Sequence, residues 1–193
     1  MTRFWWVRHG PTHAKSMVGW RDIPADLSDV AALERLADYL PDDAHVVSSD
    51  LQRASATADA IQGARLRLPH DDALREMNYG DWDGLAFAEI AKNDPIASRK
   101  FWEEPGPHAP PNGESWDALS ARINAAVDGL VAEHWGDLVI VAHFGVILTA
   151  LQRAGGMDAK SVFSFKIDNL SVTRLDYLHE AKAWRVEGVN HRP

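Results

Sequence analysis

Phe4-Trp5-Trp6-Val7-Arg8-His9-Gly10 and Leu138-Val139-Ile140-Val141-Ala142-His143-Phe144-Gly145 share one design: an unbroken apolar run that ends in a histidine and a glycine-containing turn. A strand with one wet face alternates polar and apolar residues. A continuous apolar run therefore predicts a strand covered on both faces, as in parallel sheets flanked by helices. Working outward, Ser28 to Leu40 carries Val30, Leu33, Leu36, Ala37 and Leu40 at helical spacing, with Ser28 as the expected cap and Pro41 as the stop. Ala44 to Val47 is a third apolar run, leading through Ser48-Ser49-Asp50-Leu51-Gln52 to Arg53 and a helix that Gly63 ends. Arg65 to Leu68 reads as a short edge strand. Later segments predict short helices over Phe87–Lys92 and Pro95–Glu103, a long helix capped by Ser115, a helix from His143 to Gly155-Gly156, and a C-terminal hairpin of Val172–Leu178 and Trp184–Val189. The sum is an α/β chain: a three-layer α/β/α sandwich with a mostly parallel central sheet and an antiparallel C-terminal element. The proline-rich stretch 105–113 is read as a surface excursion rather than a linker, giving one domain over 1–193.

Composition narrows the chemistry. The 193 residues include no cysteine, which excludes disulfides, thiolate metal sites and a cysteine nucleophile. A net charge of −8 argues against a nucleic-acid or anionic-membrane binder. The N-terminal apolar run is too short for a signal peptide, so a cytoplasmic location is expected. Asn169-Leu170-Ser171 fits a glycosylation pattern that carries no weight without a secretion signal.

Ligands of open α/β sheets bind beyond the carboxyl ends of the strands. If the three apolar strands are parallel neighbours, His9, His143, Arg8 and Arg53 meet in one crevice. Guanidinium forks grip phosphoryl oxygens, and a neutral imidazole can attack phosphorus. A metal site is the weaker reading. His9 and His13 are spaced i, i+4, but Gly10-Pro11 breaks the helix that would align them.

Five segments, in order, resemble the histidine phosphatase (phosphoglycerate-mutase-like) superfamily: Arg8-His9-Gly10-Pro11-Thr12, Ser48 to Ala54, Leu74 to Gly84, Pro111 to Ser115, and Val141 to Val146. The resemblance implies that His9 is a nucleophile forming a phosphohistidine, and that Arg8, Arg53 and His143 hold the phosphoryl oxygens. It also implies that Glu76 is the proton donor and later the base. Asp81, Asp83 and Glu114 compete with Glu76, which the motif match ranks first. Thr12 is either a phosphate contact or a cap, and Lys15 a substrate contact or a solvated side chain. Phe144 stands where the family often has glycine, and the Phe144 and Gly145 N–H groups are candidate phosphate donors. No metal and no cofactor is required.

The expected activity is metal-independent hydrolysis of a small phosphate monoester, with a small phosphorylated metabolite as partner and no nucleic acid or membrane. The alternatives are a phosphoglycerate mutase-type isomerase and a non-catalytic phosphate-ligand binder. Glu76 and His143 are 67 positions apart, leaving little chain to build the closed cover a mutase needs. The segments around Glu76 and Phe101-Trp102 look most like α-ribazole phosphatases. Trp20, Trp82, Trp102 and Trp116 are the candidates for stacking on an aromatic leaving group.

Overall fold

The computed structural model describes residues 1–193. The first half runs β1 (Thr2–Arg8), α1 (Val30–Tyr39), β2 (His45–Ser48), α2 (Gln52–Ile61), β3 (Leu66–Arg67), α3 (Phe87–Asn93) and α4 (Pro95–Glu103). The second half runs α5 (Trp116–Ala132), β4 (Asp137–Ala142), α6 (Phe144–Gly155), α7 (Ala159–Val162), β5 (Val172–Leu178) and β6 (Ala183–His191). Six strands form one sheet in the order β3-β2-β4-β1-β5-β6. The first four are mutually parallel, and β5 and β6 join antiparallel beyond β1.

Side-chain alternation along the apolar strands builds two cores, because successive residues of a strand point to opposite faces. Phe4, Trp6, Leu138 and Ile140 face one way and pack with Leu119 and Ile123 of α5 and Val146 and Ile147 of α6. Trp5, Val7, Val139 and Val141 face the other way, against Leu33 and Leu36 of α1 and Ala54, Ala58 and Ile61 of α2. Burying each large apolar side chain contributes about 1.5–3 kcal/mol. The doubly covered central strands thus anchor the molecule, as their unbroken apolar runs imply.

One local expectation is corrected. Asp29, not Ser28, caps α1: its Oδ1 accepts from the Ala32 N–H at 3.0 Å, and Val30 lies exposed outside the buried stripe. A carboxylate at this position also suits the positive helix N-terminus. The excursion at 105–113 docks at its far end, where the Pro111 carbonyl accepts from the Asp81 N–H at 2.9 Å. Glu114, a competitor of Glu76 in the sequence, turns its carboxylate to the Asn78 N–H (2.8 Å) and to Arg122. No helix is long and apolar enough to cross a membrane.

Candidate active site

The register of the central strands places the two histidines side by side. Arg8 of β1 pairs with Ala142 of β4, so the next residues, His9 and His143, leave the sheet together. Their ring centroids stand 5.1 Å apart at 60°. β2, on the other side of β4, delivers Arg53 in the first turn of α2. Arg8, His9, Arg53 and Glu76 line one cavity of about 730 Å³, together with Thr12 and Phe144. His143 is completely buried beside it.

His9 is held on every side. Its N–H continues the ladder to the Ala142 carbonyl (3.0 Å), and its carbonyl accepts from Asn169 Nδ2 (2.8 Å). The ring's Nδ1 lies 2.7 Å from the Gly10 carbonyl. A carbonyl only accepts, so Nδ1 carries the proton and Nε2 keeps its lone pair. Gly10 has no room for a side chain, since a Cβ there would lie 2.7 Å from Leu27. Its N–H donates to Thr57 Oγ1 (3.0 Å), and that hydroxyl donates to the Arg53 carbonyl (2.7 Å), tying the histidine loop to α2. Burial first, and the Arg53 charge second, push the His9 pKa down to about 3. The imidazole is therefore neutral across the physiological range.

The arginines have charge to spare. Arg8 donates to the Ile167 carbonyl (2.6 Å), and Arg53 to the carbonyls of Arg21 (3.1 Å) and Gly19 (2.6 Å). These bonds fix the guanidiniums without neutralising them. Arg8 Nε and both ring nitrogens of His143 are buried with no hydrogen-bond partner in the protein. Burial, followed by the neighbouring His9, holds His143 well below the usual imidazole range. The Phe144 ring, where the family often has glycine, lies 5.4 Å from the Arg8 guanidinium carbon in a cation–π contact.

Glu76 completes the crevice. Burial raises its pKa, against the opposing pull of the Met77 N–H, Arg53, the Gly145 N–H and Arg8. Its carboxylate accepts from the Met77 N–H (2.9 Å) and from the Gly145 N–H (3.1 and 3.2 Å). The Gly145 N–H is thus directed at Glu76, not at a phosphate as the sequence suggested. A Cβ on Gly145 would lie 2.6 Å from Glu76 Oε1, so only glycine admits the carboxylate here. Asp81 and Asp83 do not line the cavity; Asp83 accepts from the Gly19 and Arg21 N–H groups instead.

Sequence reasoning missed the support behind Glu76. Arg122 of α5 donates to the carbonyls of Ala73 (2.7 Å), Arg75 (2.9 Å) and Glu76 (3.2 Å) and pairs with Glu114. One signal was available: Arg122 sits between Leu119 and Ile123, on the flank of the buried stripe. Trp20, a stacking candidate from the sequence, donates its indole N–H to the Glu76 carbonyl (2.7 Å), and Trp82 is buried against Phe101. Of the four tryptophans, Trp102 and Trp116 line the cavity. Lys15 is exposed and does not.

Comparison with known proteins identifies the family. Residues 4–192 match the model of the histidine phosphatase superfamily (branch 1). The chain is 38% identical over 160 residues to glucosyl-3-phosphoglycerate phosphatase of Mycobacterium tuberculosis, covering 73% of this chain and 70% of that protein. A second Mycobacterium tuberculosis protein, named as bifunctional, is 30% identical over 191 residues; the match takes in 91% of this chain, which spans about half of that relative's length. The α-ribazole phosphatase structure from Shigella flexneri superposes with a TM-score of 0.85 at 27% identity, covering 98% of this chain and 96% of that one. With its match across nearly the whole chain, this protein belongs to the histidine phosphatase superfamily, branch 1.

Proposed function

We propose that the chain hydrolyses a small phosphate monoester through a phosphoryl group carried on His9. The observation that carries this reading is a neutral imidazole with a free Nε2 beside two guanidiniums, Arg53 buried and Arg8 half-buried, whose hydrogen bonds go only to carbonyls. Buried charge without a matching ion is costly, and a phosphoryl dianion relieves that cost. His9 Nε2 attacks phosphorus while the bond to the leaving oxygen breaks. Glu76, whose raised pKa favours the protonated form, gives its proton to that oxygen. Arg8, Arg53 and His143 hold the phosphoryl oxygens as charge builds on them, with the Thr12 hydroxyl as a further contact. Water then attacks the phosphohistidine, its proton passes to Glu76, and inorganic phosphate leaves.

The relatives include a glucosyl-3-phosphoglycerate phosphatase and a probable phosphoglycerate mutase from Proteus mirabilis, and the short stretch of 67 positions between Glu76 and His143 is what favours hydrolysis over isomerisation. The test is release of inorganic phosphate from p-nitrophenyl phosphate with a chelator present, in wild type and in His9→Ala. Phosphate release that the substitution abolishes is expected. Undiminished turnover in His9→Ala would sink the phosphohistidine route. Isomerisation of phosphoglycerate without phosphate release would establish a mutase instead. A wild type inert towards a broad panel of esters would favour a binding protein.

A further inference from the structure

We infer that the group esterified to the phosphate is a bulky, uncharged, apolar or aromatic alcohol, an inference that rests on the phosphatase reading above. Of the 20 residues lining the cavity, 12 are hydrophobic. The charged side chains among them are Arg8, Arg53 and Glu76, all engaged at the phosphoryl end in the proposed reaction. Two aromatic groups line the rest. Phe87, Phe101 and Trp102 of α3 and α4 stand with ring centroids 5.7 Å (Phe87–Trp102) and 4.8 Å (Phe101–Trp102) apart. Trp116 and Phe163 meet at 4.5 Å.

Three of these rings are held partly in water: Phe87 is 57%, Trp102 45% and Phe163 37% exposed. Exposed aromatic surface gathered at one cavity marks a place where apolar ligand surface is covered. A carboxylate or second phosphoryl group on the leaving moiety would have to leave water beside these rings, with no lysine and no further arginine to meet it. That desolvation without a partner is unfavourable. The few hydroxyls lining the cavity, such as those of Ser16, Ser98 and Tyr79, offer little to a polyhydroxylated sugar. The same lining that attracts an aromatic alcohol therefore rejects phosphoglycerates and bisphosphates.

The experiment compares three alkyl monoesters of similar intrinsic reactivity: 2-naphthylmethyl phosphate, glycerol 3-phosphate and 3-phosphoglycerate. Wild-type kcat/KM is expected to be about 100-fold higher for the naphthylmethyl ester than for 3-phosphoglycerate. Trp102→Ala and Phe87→Ala, at partly exposed positions, are each expected to narrow that ratio about tenfold. Equal or faster hydrolysis of 3-phosphoglycerate would overturn the inference while leaving the phosphatase reading in place. So would a naphthylmethyl preference that neither variant narrows. Calorimetric titration with naphthylmethylphosphonate and 3-phosphonopropionate, which cannot be hydrolysed, separates the two claims. Tighter binding of the naphthyl compound with no turnover of any ester would overturn the phosphatase reading alone, and tighter binding of the phosphonopropionate would overturn the inference.

Discussion

Substituting Gly145 by alanine adds one methyl group at the point where Glu76 is positioned. The new Cβ would lie 2.6 Å from Glu76 Oε1 and 3.3 Å from Leu119 Cδ2. Leu119 can yield by a small side-chain shift, but the carboxylate must retreat by about 0.8 Å to reach ordinary contact at 3.4 Å. A misplacement of about 1 Å at a reacting group costs on the order of 100-fold in rate. The fold tolerates the change. Gly145 lies in α6 at an ordinary helical φ, and alanine gains up to about 1 kcal/mol of helix propensity there, offsetting the loosened hydrogen bonds to Glu76. The assay is steady-state hydrolysis of two esters. An alkyl ester, whose poor leaving group needs the proton from Glu76, should lose about 100-fold in kcat/KM. p-Nitrophenyl phosphate, whose leaving group needs little protonation, should lose less than about tenfold. Equal losses on both esters, or wild-type rates on both, would refute the assignment of Glu76 as proton donor and of Gly145 as the residue that admits it.

Three further outcomes are expected. Replacing Arg122 by Met removes the donor shared by three carbonyls and Glu114. Alkyl-ester kcat should fall by about 10- to 100-fold, with KM changed far less because the proposed phosphoryl contacts are Arg8, Arg53 and His143, and a loss confined to KM would contradict this. Glu76→Gln should abolish the alkaline limb of the kcat–pH profile, since the raised Glu76 pKa is assigned to that limb; a limb that persists belongs to another group. Burial also links His9 to stability. Its folded pKa of about 3 lies below the unfolded value of 6.5, so the unfolded chain binds the extra proton between those pH values. The stabilisation is complete above about pH 6.5 and is lost as pH falls, amounting to about 3 kcal/mol by pH 4. Urea unfolding of wild type against His9→Gln should show that difference emerging between pH 7 and 4, and parallel pH dependences would rule it out.

The central strands were legible because burial on both faces leaves an unmistakable run, and the turn that ends such a run is where ligands bind. His9, His143, Arg8 and Arg53 follow from that one rule once β4 lies between β1 and β2. Glu76 does not. It sits in a stretch that also carries Asp81 and Asp83, and no local pattern tells a proton donor from a carboxylate that holds backbone N–H groups. Only the family resemblance singled it out. Gly145 was legible as a turn residue but not as the neighbour of a carboxylate 69 positions earlier. Trp20 and Trp82 show the same limit: their size drew attention to stacking, whereas one bonds the Glu76 carbonyl and the other fills the core. Long-range contacts of this kind depend on how α5 and α6 pack, which no short window of sequence contains.

The central claim is that the phosphoryl group rests on His9. It is tested most directly by mixing the protein with p-nitrophenyl phosphate, quenching in alkali within milliseconds to preserve phosphohistidine, and locating the modified peptide by mass spectrometry. Glu76→Gln, which forms the intermediate from this activated ester but is slow to hydrolyse it, should accumulate one phosphoryl group on His9. His9→Ala should carry none. A phosphoryl group found on another residue, or full turnover in His9→Ala without any covalent intermediate, would contradict the account.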